Sequence, residues 1–231
     1  MFKNNYEITI SDLDKDYVVN NKNILKILLN TFEEHTKSLN AGFDYIMKKG
    51  YTIVLLFWKL QVIKRPKYKD NLEIRTWIKY TDKKYFYRDF EIYIDNNLSV
   101  IATSKWMILD IKTFKPVFNQ ELILKQKPID KNVFNIKINR LKEYDNYSKE
   151  INYYIRKSDI DINNHVHNLN YLDMVMEIIN DNSYSNIEIE YLKEIKYTDK
   201  IKVMSEIIDN KCYIKIYNET RNITSALIEL Y

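Results

Sequence analysis

One pattern, a helix followed by strands, occurs twice in this chain of 231 residues, and an internal repeat restricts a fold more than composition does. In the first half, Ile24, Leu25, Leu28, Leu29 and Phe32 recur at helical spacing within residues 20–50, and Asn20 and Asn21 are placed to cap that helix. Strand-like stretches follow at 51–65, 71–81, 85–95 and 96–110, either rich in β-branched and aromatic residues or alternating apolar with polar ones. The second half repeats the order. A strand is expected at 150–159 and a helix at 167–180, with Leu169, Leu172, Val175, Met176 and Ile179 on one face. Four more strands are expected at 186–195, 200–209, 211–218 and 221–231.

Short identities keep the same order. "SDLD" (11–14) precedes the first helix and "SDID" (158–161) the second; "KYKDNLEI" (67–74) and "KYTDKIKV" (196–203) each lie between two strands. Each match alone is weak, and their shared order is what argues against chance. The expected fold is α+β, two copies of one unit at 1–125 and 150–231, each a helix with a largely antiparallel sheet. Residues 111–150 carry two prolines, many charges and weak periodicity, and 126–149 is expected to be a linker.

Composition narrows the class. Apolar residues make up 45% and charged residues 29% of the chain, which supports a packed core and argues against disorder. The net charge of +4 comes with no long basic run, so no nucleic-acid groove is expected. The one cysteine, Cys212, excludes a disulfide within the chain and a Cys-rich zinc site, and fits a reducing cytosol. The start "MFKNNYEITI" has no signal-peptide pattern, and the apolar run at 51–58 is too short to span a bilayer. A cytoplasmic protein with no membrane span is expected.

The densest chemistry is "SDIDINNHVHN" (158–168), with two of the three histidines. A polar segment before a helix is commonly a cap. Asp161, His165 and His167 are a rival metal set, but histidines two apart point in different directions and no third lies near in sequence; no metal or cofactor is expected. The repeat adds a discriminator. The first copy reads "VNNKNIL" (19–25) where the second reads "INNHVHNL" (162–169), so the motif histidines belong to one copy only. His167 is read as a helix-start residue, His35 as a core or surface residue, and Trp58, Trp77 and Trp106 as core. Arg88 and Asp89 are read as an ion pair.

These segments together resemble the acyl-acyl carrier protein thioesterases of bacterial type. "SDIDINNHVHNLNYL" followed by "IEIEYLKEI" is similar to that family's Asp-x-Asn-x-His-Val stretch and its later catalytic glutamate. "RPKYKDNLEIRTW" (65–77), "RDFEI" (88–92) and "ATSKWMILD" (102–110) resemble further family segments, in order. The resemblance covers residues 6–231 and implies two tandem hotdog units, each a long helix wrapped by an antiparallel sheet, with the acyl chain in the first. It implies catalytic roles for Asp161, Asn163, His165 and Glu194. Plant relatives often carry a cysteine after that glutamate; here the residue is Ile195, which leaves only distant Cys212 for thiol chemistry.

On that reading Glu194 is the general base for water, with direct attack through an anhydride as the less favoured role, and His165 shares its proton. Asn163 orients water or binds the thioester oxygen, Asp161 orients the network, and backbone N–H groups at the helix start, Val166 and His167 and on to about Asn168, form an oxyanion site. The implied partner is an acidic acyl carrier protein, steered by Lys and Arg; a homodimer is allowed by the sequence but not read from it. The alternatives are an acyl-coenzyme A thioesterase, a non-catalytic acyl-binding protein and a dehydratase of the same fold.

Overall fold

The computed structural model describes all residues except 83, 118–126, 136–137 and 180–183. The chain divides into two compact units, Met1–Ile136 and Lys137–Tyr231. In the first, strand β1 (Phe2–Glu7) leads to helices α1 (Asn21–Ser38) and α2 (Phe43–Lys48). Strands β2 (Tyr51–Val62), β3 (Asn71–Thr81), β4 (Tyr85–Ile94) and β5 (Asn97–Asp110) follow. In the second, β6 (Lys149–Tyr153) leads to helix α3 (Tyr171–Ile178), then β7 (Asn186–Tyr191), β8 (Ile201–Ile208), β9 (Lys211–Asn218) and β10 (Ile223–Leu230). The strand order is β1-β3-β4-β5-β2 in the first unit and β6-β8-β9-β10-β7 in the second, with every pairing in these runs antiparallel. The two orders are the same topology, so the repeat seen in sequence is a repeat of the fold.

Local chemistry sets these elements. Asn20 caps α1, its side chain accepting from the Asn23 N–H at 3.0 Å. The expected single helix over 20–50 breaks after Ser38, because Asn40 takes a left-handed conformation (φ 51°) and the Ala41 N–H turns back to the Thr36 carbonyl at 2.9 Å. Strand β1 was not anticipated, since "FKNNYE" looks polar; it forms by pairing with β3, Phe2 opposite Thr76. The second helix begins at Tyr171 rather than 167, after a 3-10 turn at Asn168–Asn170; its expected end at 180 lies outside the described residues. Two-residue hairpin turns at Asp95-Asn96 and Asp209-Asn210 have all four φ angles between 50° and 62°, the values that match the twist of the flanking strands.

Strand β4 is buried on both faces, and alternation decides what each side chain meets. Arg88 is fully buried toward α1. It donates to His35 Nδ1 at 2.9 Å and Thr76 Oγ1 at 3.1 Å, and lies 5.0 Å from the Phe32 ring centre. Asp89 faces the other way, where it meets Lys79 at 3.5 Å and the Val133 N–H at 2.9 Å. The expected Arg88–Asp89 pair therefore gives way to separate partners, because neighbours on a strand point to opposite faces. The stretch read as a linker is divided between the units. Residues 127–135 cover β3 and β4, with the Trp77 indole N–H donating to the Lys131 carbonyl at 2.9 Å and the Ile129 N–H to the Ile78 carbonyl at 2.8 Å. Leu141 is buried in the second unit and its N–H donates to Glu190 at 2.9 Å. Trp58, Trp77 and Trp106 are all core.

Burial, then the Arg88 charge, holds the His35 imidazole down to about 3. The unfolded chain therefore binds a proton that the folded chain refuses, so stability contributed here falls as pH drops from about 6.5 toward 3. In His35→Gln the fall of the urea midpoint with pH over that window is expected to be shallower than in wild type.

Candidate active site

Two turns, one per unit, carry the same hydrogen bonds. In the second, Asp161 Oδ1 accepts from the N–H groups of Asn163 (2.8 Å) and His165 (3.2 Å). The Asp161 N–H donates to the His165 carbonyl (2.8 Å), and the Asn164 N–H to the Asp161 carbonyl (3.1 Å). In the first, Asp14 Oδ1 accepts from Asp16 (3.0 Å) and Val18 (3.1 Å). The Asp14 N–H donates to the Val18 carbonyl (2.9 Å), and the Tyr17 N–H to the Asp14 carbonyl (3.0 Å). Tyr17 and Asn164 share a left-handed φ, 60° and 61°. An aspartate that binds the chain two and four residues on is a turn former. The acid before each turn is matched too: Asp12 accepts from the Thr9 N–H and Asp159 from the Arg156 N–H, both at 2.8 Å.

Residues 14–20 ("DKDYVVN") thus correspond to 161–167 ("DINNHVH"), a pairing shifted from the one read in sequence. His165 stands where the first copy has Val18, Asn163 where it has Asp16, and His167 where it has Asn20. His167 does as Asn20 does: its Nδ1 accepts from the Leu169 N–H at 3.2 Å and caps the 3-10 turn.

Glu194 comes from the segment after β7. Before it, the Leu192 and Lys193 N–H groups donate to the Ser225 carbonyl (2.9 and 3.1 Å), as Ile63 and Lys64 donate to Ser99 (both 2.9 Å). After it, Asp199 Oδ2 accepts from the Lys196 N–H at 2.8 Å, as Asp70 Oδ2 does from Lys67 at 2.8 Å. Glu194 therefore holds the place of Arg65, which in the first unit donates to the Val19 carbonyl (2.9 Å) and Asn21 Oδ1 (3.1 Å). The Val166 N–H donates to the Ile195 carbonyl at 2.8 Å. His165 and Glu194 each precede one end of that bond, which makes them neighbours. Arg221 donates from Nη1 to Glu194 Oε1 at 3.0 Å, and from Nη2 to the Glu194 carbonyl and to Asp199 Oδ2 (3.1 Å). Burial pushes the Glu194 carboxyl up, but its own N–H, Arg221 and His165 outweigh that and hold it below the usual carboxylate range. Buried Tyr171 is raised by burial and then by Glu194, and its hydroxyl meets the Lys193 carbonyl at 3.4 Å.

The acyl-ACP thioesterase N-terminal domain family matches residues 1–125 and the C-terminal domain family matches residues 142–229. The chain belongs to the acyl-ACP thioesterase family. It is 22% identical over 216 residues to a chloroplastic acyl-[acyl-carrier-protein] hydrolase, FATB3, of Cuphea viscosissima, a match covering 84% of this chain and 52% of that protein. The chain thus spans about half the length of that curated relative. An acyl-ACP thioesterase structure from Bacteroides thetaiotaomicron superposes with a TM-score of 0.87 at 17% identity, covering 99% of this chain and 96% of that one. The 12:0-ACP thioesterase from Umbellularia californica gives 0.85 at 16% identity, covering 99% and 95%. The two α+β units are the tandem hotdog fold of these thioesterases.

Two sequence expectations for the site change. Val166 and His167 are not oxyanion donors, because their N–H groups already bind the Ile195 and Asp159 carbonyls, each at 2.8 Å. The Asp161-x-Asn163-x-His165 spacing does not put three side chains on one side of an extended segment; it is a turn closed by Asp161. Among the described residues no group of three His, Cys, Asp or Glu is arranged to hold a metal ion. Cys212 is buried on β9 and burial pushes its thiol up, which disfavours a thiolate. No helix among the described residues is long and apolar enough to cross a membrane. No sequence pattern marks Arg221, Asn218 or Tyr171 as site residues; Asp199 alone carries a signal, through the repeated Lys-Tyr-x-Asp.

Asp14→Ala and Asp161→Ala are each expected to lower the unfolding free energy by about 1 kcal/mol, as two N–H groups lose an ionised acceptor. The Asn variants, which keep an acceptor oxygen, should lose less. Urea denaturation of the four variants checks both points.

Proposed function

We propose that this chain hydrolyses the thioester of acyl-acyl carrier protein and releases a free fatty acid. The observation that carries the reading is the contrast between the copies. One backbone frame is built twice, and only the second bears Asn163, His165 and Glu194, in place of Asp16, Val18 and Arg65. Chemistry added to an unchanged frame is what a site requires and a cap does not.

In this reading Glu194 takes a proton from water, whose oxygen attacks the thioester carbonyl carbon. The Asn163 side chain, exposed in the turn, donates to the oxyanion. The tetrahedral intermediate collapses and the C–S bond breaks. His165 relays the proton from Glu194 to the departing thiolate. Asp161 keeps both turn N–H groups satisfied and so fixes where Asn163 and His165 sit. The first unit houses the acyl chain, a reading supported by its aromatic core, where Phe32 stacks on Trp106 at 4.7 Å and Trp58 lies 5.3 Å from Phe90. A cytoplasmic location belongs to the same proposal, and the single buried cysteine suits it.

The test is fatty acid release from carrier-protein thioesters of varied chain length, beside the same chains on coenzyme A. Faster turnover on the carrier protein supports the proposal. Faster turnover on coenzyme A makes the chain an acyl-coenzyme A thioesterase, and binding without turnover makes it an acyl-binding protein. Glu194→Ala should lower kcat by about a hundredfold or more with the melting temperature little changed; wild-type turnover in that variant removes Glu194 from the mechanism. Because the Glu194 carboxyl is held low, its base form is lost only below the ordinary carboxylate range. The acid limb of kcat/KM should therefore lie beneath about pH 4.3.

A further inference from the structure

We propose that Arg221 is a positioning residue for the reaction, holding the Glu194 carboxylate through Oε1 in the orientation that accepts the proton of water. The inference rests on the reading of Glu194 as general base. Three contacts place the guanidinium: Glu194 Oε1 at 3.0 Å, the Glu194 carbonyl, and Asp199 Oδ2 at 3.1 Å. Its support is built before Glu194 is reached. Asp199 Oδ2 also accepts from the Lys196 N–H and from Asn218 Nδ2, both at 2.8 Å. Fully buried Asn218 turns its Oδ1 to the N–H of Arg221 itself, at 3.1 Å. One buried amide thus ties the β9–β10 turn, which carries Arg221, to the 196–199 turn that follows Glu194.

The Arg221–Asp199 pair, with Asp199 only 5% exposed, can serve stability; the grip on Glu194 is not explained that way. The Glu194 side chain is 46% exposed, and an ion pair with that much solvent adds little to folding. A half-exposed glutamate without a partner would also move among rotamers. A planar fork that grips both the carboxylate and the backbone of one residue limits that motion. The first unit has no such need, since Arg65 occupies the place of Glu194 and ends on the Val19 carbonyl and Asn21.

The charged and titratable groups facing Glu194 are Arg221 from the β9–β10 turn, His165 from the 161–167 turn and Tyr171 from α3; Asp199 lies beyond the guanidinium. Loss of the Arg221 charge lets the Glu194 carboxyl rise, so the base form is lost at higher pH. In Arg221→Met, kcat should fall by about tenfold to a hundredfold, with KM little changed and the acid limb of the pH profile moved upward. Arg221→Lys keeps the charge without the fork, so its acid limb should move upward less than in Arg221→Met while kcat remains lowered. A fall in kcat with an unmoved acid limb in Arg221→Met overturns the proposal, because a merely structural role gives that result. If Arg221→Met melts below the assay temperature, Arg221→Lys decides: wild-type kcat there overturns the proposal. Glu194→Ala run in parallel separates the two ideas, since wild-type turnover in it refutes the base assignment itself.

Discussion

An ionised aspartate acting as a backbone acceptor is the contact on which the site depends. A tight turn leaves N–H groups that neither a helix nor a strand can satisfy. Asp161 Oδ1 takes two of them, from Asn163 and His165. With the turn closed, the chain leaves it in the direction that carries the Val166 N–H to the Ile195 carbonyl, and His165 then lies beside Glu194. Charge-assisted bonds are strong enough to hold such a turn against solvent. Asp161 therefore acts on geometry, through the positions of two neighbouring side chains.

The duplication separates frame from chemistry. Asp12 and Asp159, Asp14 and Asp161, and Asp70 and Asp199 make the same backbone bonds in the two units. These identical acids fold the turns. The positions that differ, Val18 and His165, Asp16 and Asn163, Arg65 and Glu194, are those to which the proposed reaction assigns its chemistry in the second copy. Arg65 and Glu194 show how far this goes. The same position bears opposite charges, and in the first unit the cation is spent on helix-start oxygens.

Much of this was legible in the sequence, for physical reasons. Strand β9 alternates half-buried and buried residues along its whole length, so its period is plain in "KCYIKIYN". Strand β1 was hidden because its outer face is Lys3, Asn5 and Glu7, and only pairing with β3 makes it a strand. The break after α1 depends on one left-handed residue, Asn40, which residue type alone does not announce. The expectation that Asp161, Asn163 and His165 share one side of an extended segment failed for a related reason: the positive φ at Asn164 folds that stretch back. Arg221 could not be found, because its partners Asp199 and Glu194 lie 22 and 27 residues away and a lone arginine in a turn has no pattern.

The first unit also records which side chains the turn accepts. Asp16 and Val18 sit in the places of Asn163 and His165 with the backbone bonds intact. Asn163→Asp and His165→Val are therefore exchanges that this chain already carries in its other half. Alanine at the same positions has no such precedent, and its effects on turn and reaction would be mixed. The first copy thus supplies a blank for the site proposed in the second, a pair of side chains whose fit to the backbone is known beforehand.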